Sequence, residues 1–280
     1  MTGAAVRLAT LAAVALAAWA CAAPSRRLTP RVVEDPIVLP KRMASVSSEI
    51  SFVHYEPTDF QGTFGVPGFR FGLTNRLEWV DLGLRFAILD DRPADGRTPM
   101  PFSLAVRAGL MGIGYSSAEG MIVLPVASLS ALKHVADRWA LSLAAGWRAQ
   151  WVERTSFFAI TPAYGRTLSY SGRRGSTITL SGAVTRQLSE RIALGISPAV
   201  SQTNDCVDPT CGWVSQSASG AVFVSVRPWD WLTVSAGPDV GVRHRPDAVL
   251  PTMFPDGTPI YIPPTTVTWF GVSGSAAFYW

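Results

Sequence analysis

The stretch from Trp139 to Trp151, WALSLAAGWRAQW, alternates between two kinds of side chain along its whole length. Every second residue from Trp139 onward is apolar, and the residues between are small or polar, among them Arg148 and Gln150. Successive side chains of a β-strand point to opposite faces, so this period of two predicts a strand with one apolar face. A second face of Arg, Gln, Ser and Gly is typical of the interior of a barrel whose apolar face meets lipid.

The same alternation recurs at intervals of about 20 residues and predicts a closed antiparallel transmembrane β-barrel, an all-β fold. The predicted strands are near 42–56, 66–74, 77–89, 102–113, 121–132, 139–152, 157–170, 176–187, 191–202, 214–227, 231–242 and 265–280. The strand at 157–170 is the weakest of the twelve, because Pro162 interrupts it. Ala136-Asp137-Arg138 resembles a short periplasmic turn, whereas a strict count of twelve strands places this turn on the extracellular side. A barrel of ten strands is therefore the alternative.

A hairpin at Asn75-Arg76 supports the barrel independently of the alternation. A two-residue turn there predicts a register in which Arg70 faces Asp81, so that opposite charges meet on the face that does not contact lipid. Val80, Leu82, Leu84, Phe86 and Ile88 are expected to share the apolar face of the strand that follows.

The composition favours a membrane barrel over the alternative fold, a soluble periplasmic β-sandwich. Charged residues make up 16% of the chain, against about 25% in ordinary soluble domains. Tryptophans lie near many predicted strand ends, where aromatic rings favour the membrane–water interface. Helical spans do not fit, because the longest uncharged stretch, 257–280, contains three prolines in its first eight residues.

The last strand alternates up to Trp280, with Phe270, Val272 and Phe278 on the face that carries this final residue. This strand resembles the C-terminal strand of bacterial outer-membrane β-barrels, which ends in an aromatic residue. The resemblance implies that the barrel-insertion machinery recognises these four residues. It also implies a location in the bacterial outer membrane, with membrane lipid as a partner.

The N-terminus predicts export. Arg7 precedes an apolar run to Ala20, and Ala18-Trp19-Ala20 fits the pattern of signal-peptide cleavage, so residues 1–20 are expected to be a signal peptide. Cys21 follows directly and is a candidate for lipidation, although simple cleavage near it is the alternative. Residues 21–41 contain four prolines and are expected to form a disordered Pro/Arg-rich linker before the barrel at 42–280.

Cys206 and Cys211 flank a turn that contains Pro209. In the oxidising compartment of an exported chain they are a candidate disulfide. A metal site is less favoured, because two thiolates alone do not complete a tetrahedral shell.

No motif for catalysis, a cofactor or nucleic acid is apparent. His244 lies among Asp239, Arg243, Arg245 and Asp247, where it is either a candidate base or a solvated loop residue. A phosphate-binding loop and a nucleophile elbow are both missing. The net charge of +4 is too small and scattered for nucleic acid. The chain is therefore expected to be neither an enzyme nor a cofactor-binding protein.

The lumen offers the remaining functional clue. Its candidate lining residues are Arg70, Asp81, Arg85, Arg107, Arg148 and Gln150. Excess arginine predicts a pore that favours anions, whereas arginines that pair with carboxylates or water predict a plugged barrel with a structural or surface role. In that second case, function is expected in the loops 203–213 and 243–264. The sequence identifies no ligand.

Overall fold

A computed structural model describes residues 28–56, 59–64, 68–93, 97–116, 120–152, 155–157, 168–170, 173–207, 210–245, 248–253, 259–262 and 264–280. The strands are β1 (Ala44–Glu56), β2 (Asp59–Phe64), β3 (Gly68–Gly72), β4 (Leu77–Val80), β5 (Leu82–Leu89), β6 (Ser103–Ser116), β7 (Gly120–Val135), β8 (Trp139–Val152), β9 (Thr155–Phe157), β10 (Leu168–Tyr170), β11 (Arg173–Gln187), β12 (Ile192–Val207), β13 (Thr210–Trp229), β14 (Leu232–Arg245), β15 (Ala248–Met253), β16 (Pro259–Ile262) and β17 (Thr265–Tyr279). Short 3₁₀ turns lie at Val32–Glu34 and Ala136–Arg138.

The wall is a closed antiparallel barrel of twelve strands, in which β2 and β3 together make one interrupted strand. Closure comes from β1 and β17, which pair from Ser45 opposite Tyr279 to Glu56 opposite Thr268. The predicted fold class and the count of twelve are confirmed. In the described part of the chain, no helix is long and apolar enough to cross a membrane.

Both termini of the wall lie at one end of the barrel, here called the terminal end, where β1 begins and β17 finishes. The connections at this end include three short turns, at 73–76, 136–138 and 188–191. The two longest connections between wall strands, from β8 to β11 and from β14 to β17, lie at the opposite end. Outer-membrane barrels have their long loops on the extracellular side, so this arrangement favours the periplasm for the terminal end. The 3₁₀ turn at Ala136–Arg138 lies at the terminal end.

The outer surface of the wall is apolar. On β12 the outward side chains from Ile192 to Val200 are mostly large and exposed, and the same holds for β8, β14 and β17. About nine residues of apolar strand match the nine to eleven that cross a bilayer when tilted. At the terminal end, Trp229 and Trp231 stack with ring centroids 5.1 Å apart, and Trp231 stacks on Phe278. Such an aromatic girdle marks a membrane interface.

The predicted single strand at 77–89 is wrong, because the chain reverses at Asp81. This residue has φ 52°, and β4 pairs antiparallel with β5, with Val80 opposite Gly83. Aspartate tolerates the left-handed region better than most residues, and the Asp81 carboxylate also accepts the N–H of Phe69 at 3.0 Å. The reversal puts Val80 inside, 4% exposed, while Leu82, Leu84, Phe86 and Ile88 face outward as predicted.

The predicted register of the first hairpin is also wrong by one residue. Gly72 lies opposite Glu78, so the partner of Arg70 is Val80 and not Asp81. The connection is a four-residue loop, in which the Thr74 hydroxyl accepts the N–H groups of Arg76 and Leu77. This side-chain bond stabilises a longer turn than a two-residue hairpin requires.

The predicted wall strand at 157–170 is a third error, because β8 pairs directly with β11 along its length. The described parts of the segment, β9 and β10, form a separate two-stranded sheet. The number of wall strands remains twelve, because the predicted strand at 77–89 is two strands, β4 and β5, and the predicted strand at 157–170 is not part of the wall. The predicted loop 203–213 is likewise mostly strand, because β12 continues to Val207 and β13 begins at Thr210.

The structure differs from the expected disordered linker over residues 28–41. Residues 28–43, here called the N-terminal plug, pack into the terminal mouth of the barrel, with Leu28, Val33, Val38, Leu39 and Met43 all buried. The plug passes so close to the wall that a Cβ on Gly72 would lie 2.0 Å from the Pro40 carbonyl oxygen. The predicted signal peptide and residues 21–27 lie outside the described residues.

Candidate functional site

Glu78 on β4 is the centre of the lower lumen and is completely buried. Its carboxylate accepts the Nε and Nη2 of Arg70 at 3.2 and 2.9 Å and the Nη1 of Arg85 at 3.0 Å. It also accepts the backbone N–H of Leu39 in the plug at 2.7 Å. One buried carboxylate thus joins three parts of the chain, and charge-assisted bonds of this kind are about twice as strong as neutral ones.

A second ion pair lies beside this cluster. The Nη2 of Arg107 on β6 lies 2.7 Å from the Oδ2 of Asp81 at the β4–β5 turn. Arg70, Arg85 and Arg107 all have carboxylate partners, although the three share two carboxylates and one positive charge remains.

Arg227 on β13 contacts the plug from a different part of the wall. Its guanidinium, which is 0% exposed, donates to the Thr29 carbonyl at 2.7 Å, to Asp35 Oδ2 at 2.6 Å and to the Thr233 hydroxyl at 2.9 Å. It also lies over the ring of Tyr279. Gln187 on β11 adds a bond from the Val33 N–H to its side-chain oxygen at 3.2 Å.

These contacts show that the plug crosses the mouth of the barrel. Around the ring of twelve, β11 and β4 are five positions apart, so Gln187 and Glu78 lie on nearly opposite walls. Val38 packs against Ala87 and Ala105 on the way across. The plug is therefore tied to both sides of the terminal mouth.

A third polar cluster lies beside the mouth, around Asp91. The Ser103 hydroxyl donates to one oxygen of this carboxylate at 2.6 Å, and the ring Nδ1 of His134 lies 2.7 Å from the other. Burial alone would raise the pKa of Asp91, but the bonds from His134 and Ser103 outweigh it and hold the pKa at about 2. Both side chains bond the carboxylate and not each other, so the cluster lacks the nucleophile–base pair of covalent catalysis.

The upper lumen is more open and less balanced. Arg148 on β8 and Arg243 on β14 lie at inward positions, and among the described residues neither forms an ion pair. Nearer the terminal end, the wall formed by β12, β13, β14, β17 and β1 carries small hydroxyl residues and a cavity of about 340 Å³ lined by Glu49, Ser197, Phe223, Ser235, Ser273 and Ser275. The ring of Phe223 covers Gly195 on the neighbouring strand.

Five of the six predicted lumen residues are described with their side chains and face inward: Arg70, Asp81, Arg85, Arg107 and Arg148. Gln150 shares the inward face of β8 with Arg148, but its side chain lies outside the described residues. The predicted pairing of Arg70 with Asp81 is replaced by Arg70–Glu78 and Arg107–Asp81.

The sequence did not point to Glu78, Arg227, Asp35 or His134. The predicted single strand at 77–89 placed Glu78 on the same apolar face as Val80, whereas the reversal at Asp81 puts both inside. The available signals were a glutamate on a face predicted to meet lipid and an arginine on the inner face near the end of β13.

The predicted insertion residues Phe270, Val272 and Phe278 face outward on β17, and the backbone of Trp280 pairs with Ala44. Cys206 and Cys211 are direct partners across the β12–β13 hairpin, at a spacing that suits a disulfide. Their side chains lie outside the described residues, so the disulfide stays a prediction. Cys21 and its lipidation also lie outside them.

The candidate base His244 faces outward, where its Nδ1 lies 2.9 Å from the Thr266 hydroxyl. Asp239 occupies an inward position on the same strand, so the two do not form a catalytic pair. Among the described residues, no group of three metal-ligating side chains occurs.

No family model and no curated protein matches the sequence. Among solved structures, the chain is similar to OmpT, an outer membrane protein of Vibrio cholerae, with 10% identity and a TM-score of 0.39, over 85% of this chain and 97% of that one. It is similar to the NanC porin with 13% identity and a TM-score of 0.34, over 82% and 98%.

The copper transporter OprC is similar with 13% identity and a TM-score of 0.42, over 85% of this chain and 45% of that one, so the chain spans less than half of OprC. These identities and TM-scores give no basis for transferring a function. The closed wall, the apolar outer surface, the aromatic girdle and the charged lumen make the chain a transmembrane β-barrel of the bacterial outer-membrane type.

Proposed function

We propose that this chain is a narrow outer-membrane pore for small anionic solutes, closed at its periplasmic mouth by the N-terminal plug. The observation that carries the proposal is the plug itself, which is bonded to Arg227 and Gln187 on one side of the mouth and to Glu78 on the other. These polar contacts hold the plug together with its buried apolar side chains, so their loss favours release of the plug, whereas the barrel wall remains.

The upper lumen supports the preference for anions. Arg148 and Arg243 have no carboxylate partner among the described residues, whereas the arginines of the lower lumen are paired. Unpaired guanidinium groups that line an aqueous path attract anions and repel cations. Two carboxylates oppose this effect locally: Glu49 in the 340 Å³ cavity and Asp239 at an inward position of β14. We propose a role in transport and no catalytic role.

Conductance in planar lipid bilayers tests the pore. We expect the natural chain to open rarely and Arg227→Met to open often, because Arg227→Met leaves Asp35 without its cation. Asp35 keeps 30% of its side chain exposed, so the loss of its partner costs less than in a fully buried pair, about 2 kcal/mol, equivalent to about a thirtyfold shift toward the released plug. Arg191→Met is the matched control, since Arg191 bonds to Arg227 and Pro228 carbonyls on the wall and not to the plug.

Selectivity tests the anion preference in the opened variant. Arg148→Ser in the Arg227→Met background is expected to lower the permeability ratio of chloride to potassium, and Glu49→Gln to raise it. If Arg227→Met folds into a heat-modifiable barrel but remains silent, the pore proposal is wrong. A plugged barrel with a structural role, the second candidate, would then account for the buried ion pairs.

A further inference from the structure

Three arginines of the lower lumen, Arg70, Arg85 and Arg107, here called the arginine cluster, share only two carboxylates. Arg70 and Arg85 both bond to Glu78, and Arg107 bonds to Asp81, so the five side chains carry one excess positive charge. Arg85 and Arg107 are also direct cross-strand partners on β5 and β6. Like charges directly opposite each other destabilise a sheet, and an anion between them would relieve this repulsion.

Each arginine of the cluster keeps one terminal nitrogen free. Among the described residues, Arg70 Nη1, Arg85 Nη2 and Arg107 Nη1 have no hydrogen-bond partner. These three atoms are not fully buried, in contrast to the Nε atoms of Arg85 and Arg107. Since all three side chains face inward, the cluster offers three charged N–H donor groups to the lumen.

Directly above Arg85 and Arg107, on the side away from the terminal end, the wall has no side chains. The next inward positions of β5 and β6 are Gly83 and Gly109, which are themselves direct partners. Because glycine has no side chain, the lumen keeps free space over the two guanidinium groups at this point.

Apolar groups and a further arginine border this space. Val80 on β4 and Val126 on β7 flank the two glycines. Arg148 on β8 is the direct partner of Val126 and lies toward the upper lumen. A ligand with one charged group directed at the arginine cluster and a small apolar part fits between these borders.

We propose that the arginine cluster binds the carboxylate of a small monovalent organic acid, with the two carboxylate oxygens between Arg85 and Arg107. Two neighbouring guanidinium groups suit a carboxylate, because each of its oxygens accepts charge-assisted hydrogen bonds. One negative charge neutralises the excess of the cluster, whereas a phosphate dianion would leave a negative charge beside Glu78 and Asp81. The role of this site rests on the proposed pore, for which it names the class of solute, but its binding chemistry does not require release of the plug.

Fluorine NMR of trifluoroacetate tests the site in the full chain, folded in detergent micelles. Binding broadens the resonance of the ligand, and a titration gives the Kd. Arg107→Gln removes the excess charge and one free donor group, so the affinity is expected to fall about tenfold or more. Because this change also removes the partner of Asp81, Arg85→Lys is a second variant, which keeps the charge but replaces the planar fork with a single ammonium group. Its affinity is expected to fall about fivefold.

Arg243→Gln is the matched control, because Arg243 is an inward arginine without an ion pair among the described residues and lies on β14, nearly opposite β6. It is expected to bind trifluoroacetate like the natural chain, and heat-modifiability on detergent gels selects folded samples of each variant. The proposal is overturned if folded Arg107→Gln and Arg85→Lys bind as tightly as Arg243→Gln.

Competition tests the chemistry of the ligand. Acetate is expected to displace trifluoroacetate at lower concentration than chloride does, since a spherical ion cannot accept paired bonds from two guanidinium groups. Displacement by chloride or by inorganic phosphate at lower concentration than by acetate would overturn the carboxylate assignment. The assay needs no open pore, so binding in a chain whose Arg227→Met variant stays silent would refute the proposed pore and leave this site in place.

Discussion

Replacement of Glu78 by glutamine tests whether the buried charge cluster stabilises the barrel. Glu78 is completely buried and accepts three bonds from two arginines and one from the Leu39 N–H of the plug. Glu78→Gln keeps the shape and removes the charge, so Arg70 and Arg85 are left close together without a counter-ion.

The magnitude follows from the burial of the partners. Removing one partner of a fully buried ion pair costs about 3–5 kcal/mol. The side chains of Arg70 and Arg85 remain 26% and 20% exposed, which lets water compensate part of this loss. We therefore expect Glu78→Gln to lower the free energy of unfolding by about 3 kcal/mol.

Urea titration followed by the folded band on unheated detergent gels measures this loss. With an m-value of about 2–3 kcal/mol/M, the midpoint should fall by about 1–1.5 M. Glu190→Gln is the control, because Glu190 is exposed in the turn between β11 and β12. A Glu78→Gln midpoint equal to that of Glu190→Gln would refute the view that this cluster stabilises the fold.

Two further predictions concern the mouth and the lumen. The pKa of Asp91, about 2 in the folded barrel against 3.8 ordinarily, means that Asp91 stabilises the fold above about pH 4 and that this contribution is lost as the pH falls toward 2. In urea titrations, Asp91→Asn should therefore have a lower free energy of unfolding than the natural chain at pH 5, and this free energy should change less between pH 4 and 2. If the variant lost stability between pH 4 and 2 as steeply as the natural chain, Asp91 would not be the group that causes the loss. Gly195→Val places a Cβ 2.1 Å from the Phe223 ring, so it should cost about 1–3 kcal/mol in the natural chain and less in a Phe223→Ala background. An equal cost in both backgrounds would show that the ring does not cause the strain.

The proposed function depends on the lumen, which is closed by contacts between chain segments far apart in sequence, such as Leu39 with Glu78 and Asp35 with Arg227.

The period of two in the sequence determined the barrel, its lipid-facing side and the inward arginines, because alternation is a local property that each strand carries by itself. The pairing of the first strand with the last could also be predicted from the sequence, because a barrel in lipid needs these two strands to meet. The tertiary structure alone decided the reversal at Asp81 and the register at Gly72–Glu78. A difference of one residue in a turn changes every cross-strand partner without changing the alternation. The tertiary structure also decided the position of the plug. Its prolines suggest an extended chain, but they do not indicate that Glu78, Gln187 and Arg227 bind that chain inside the mouth.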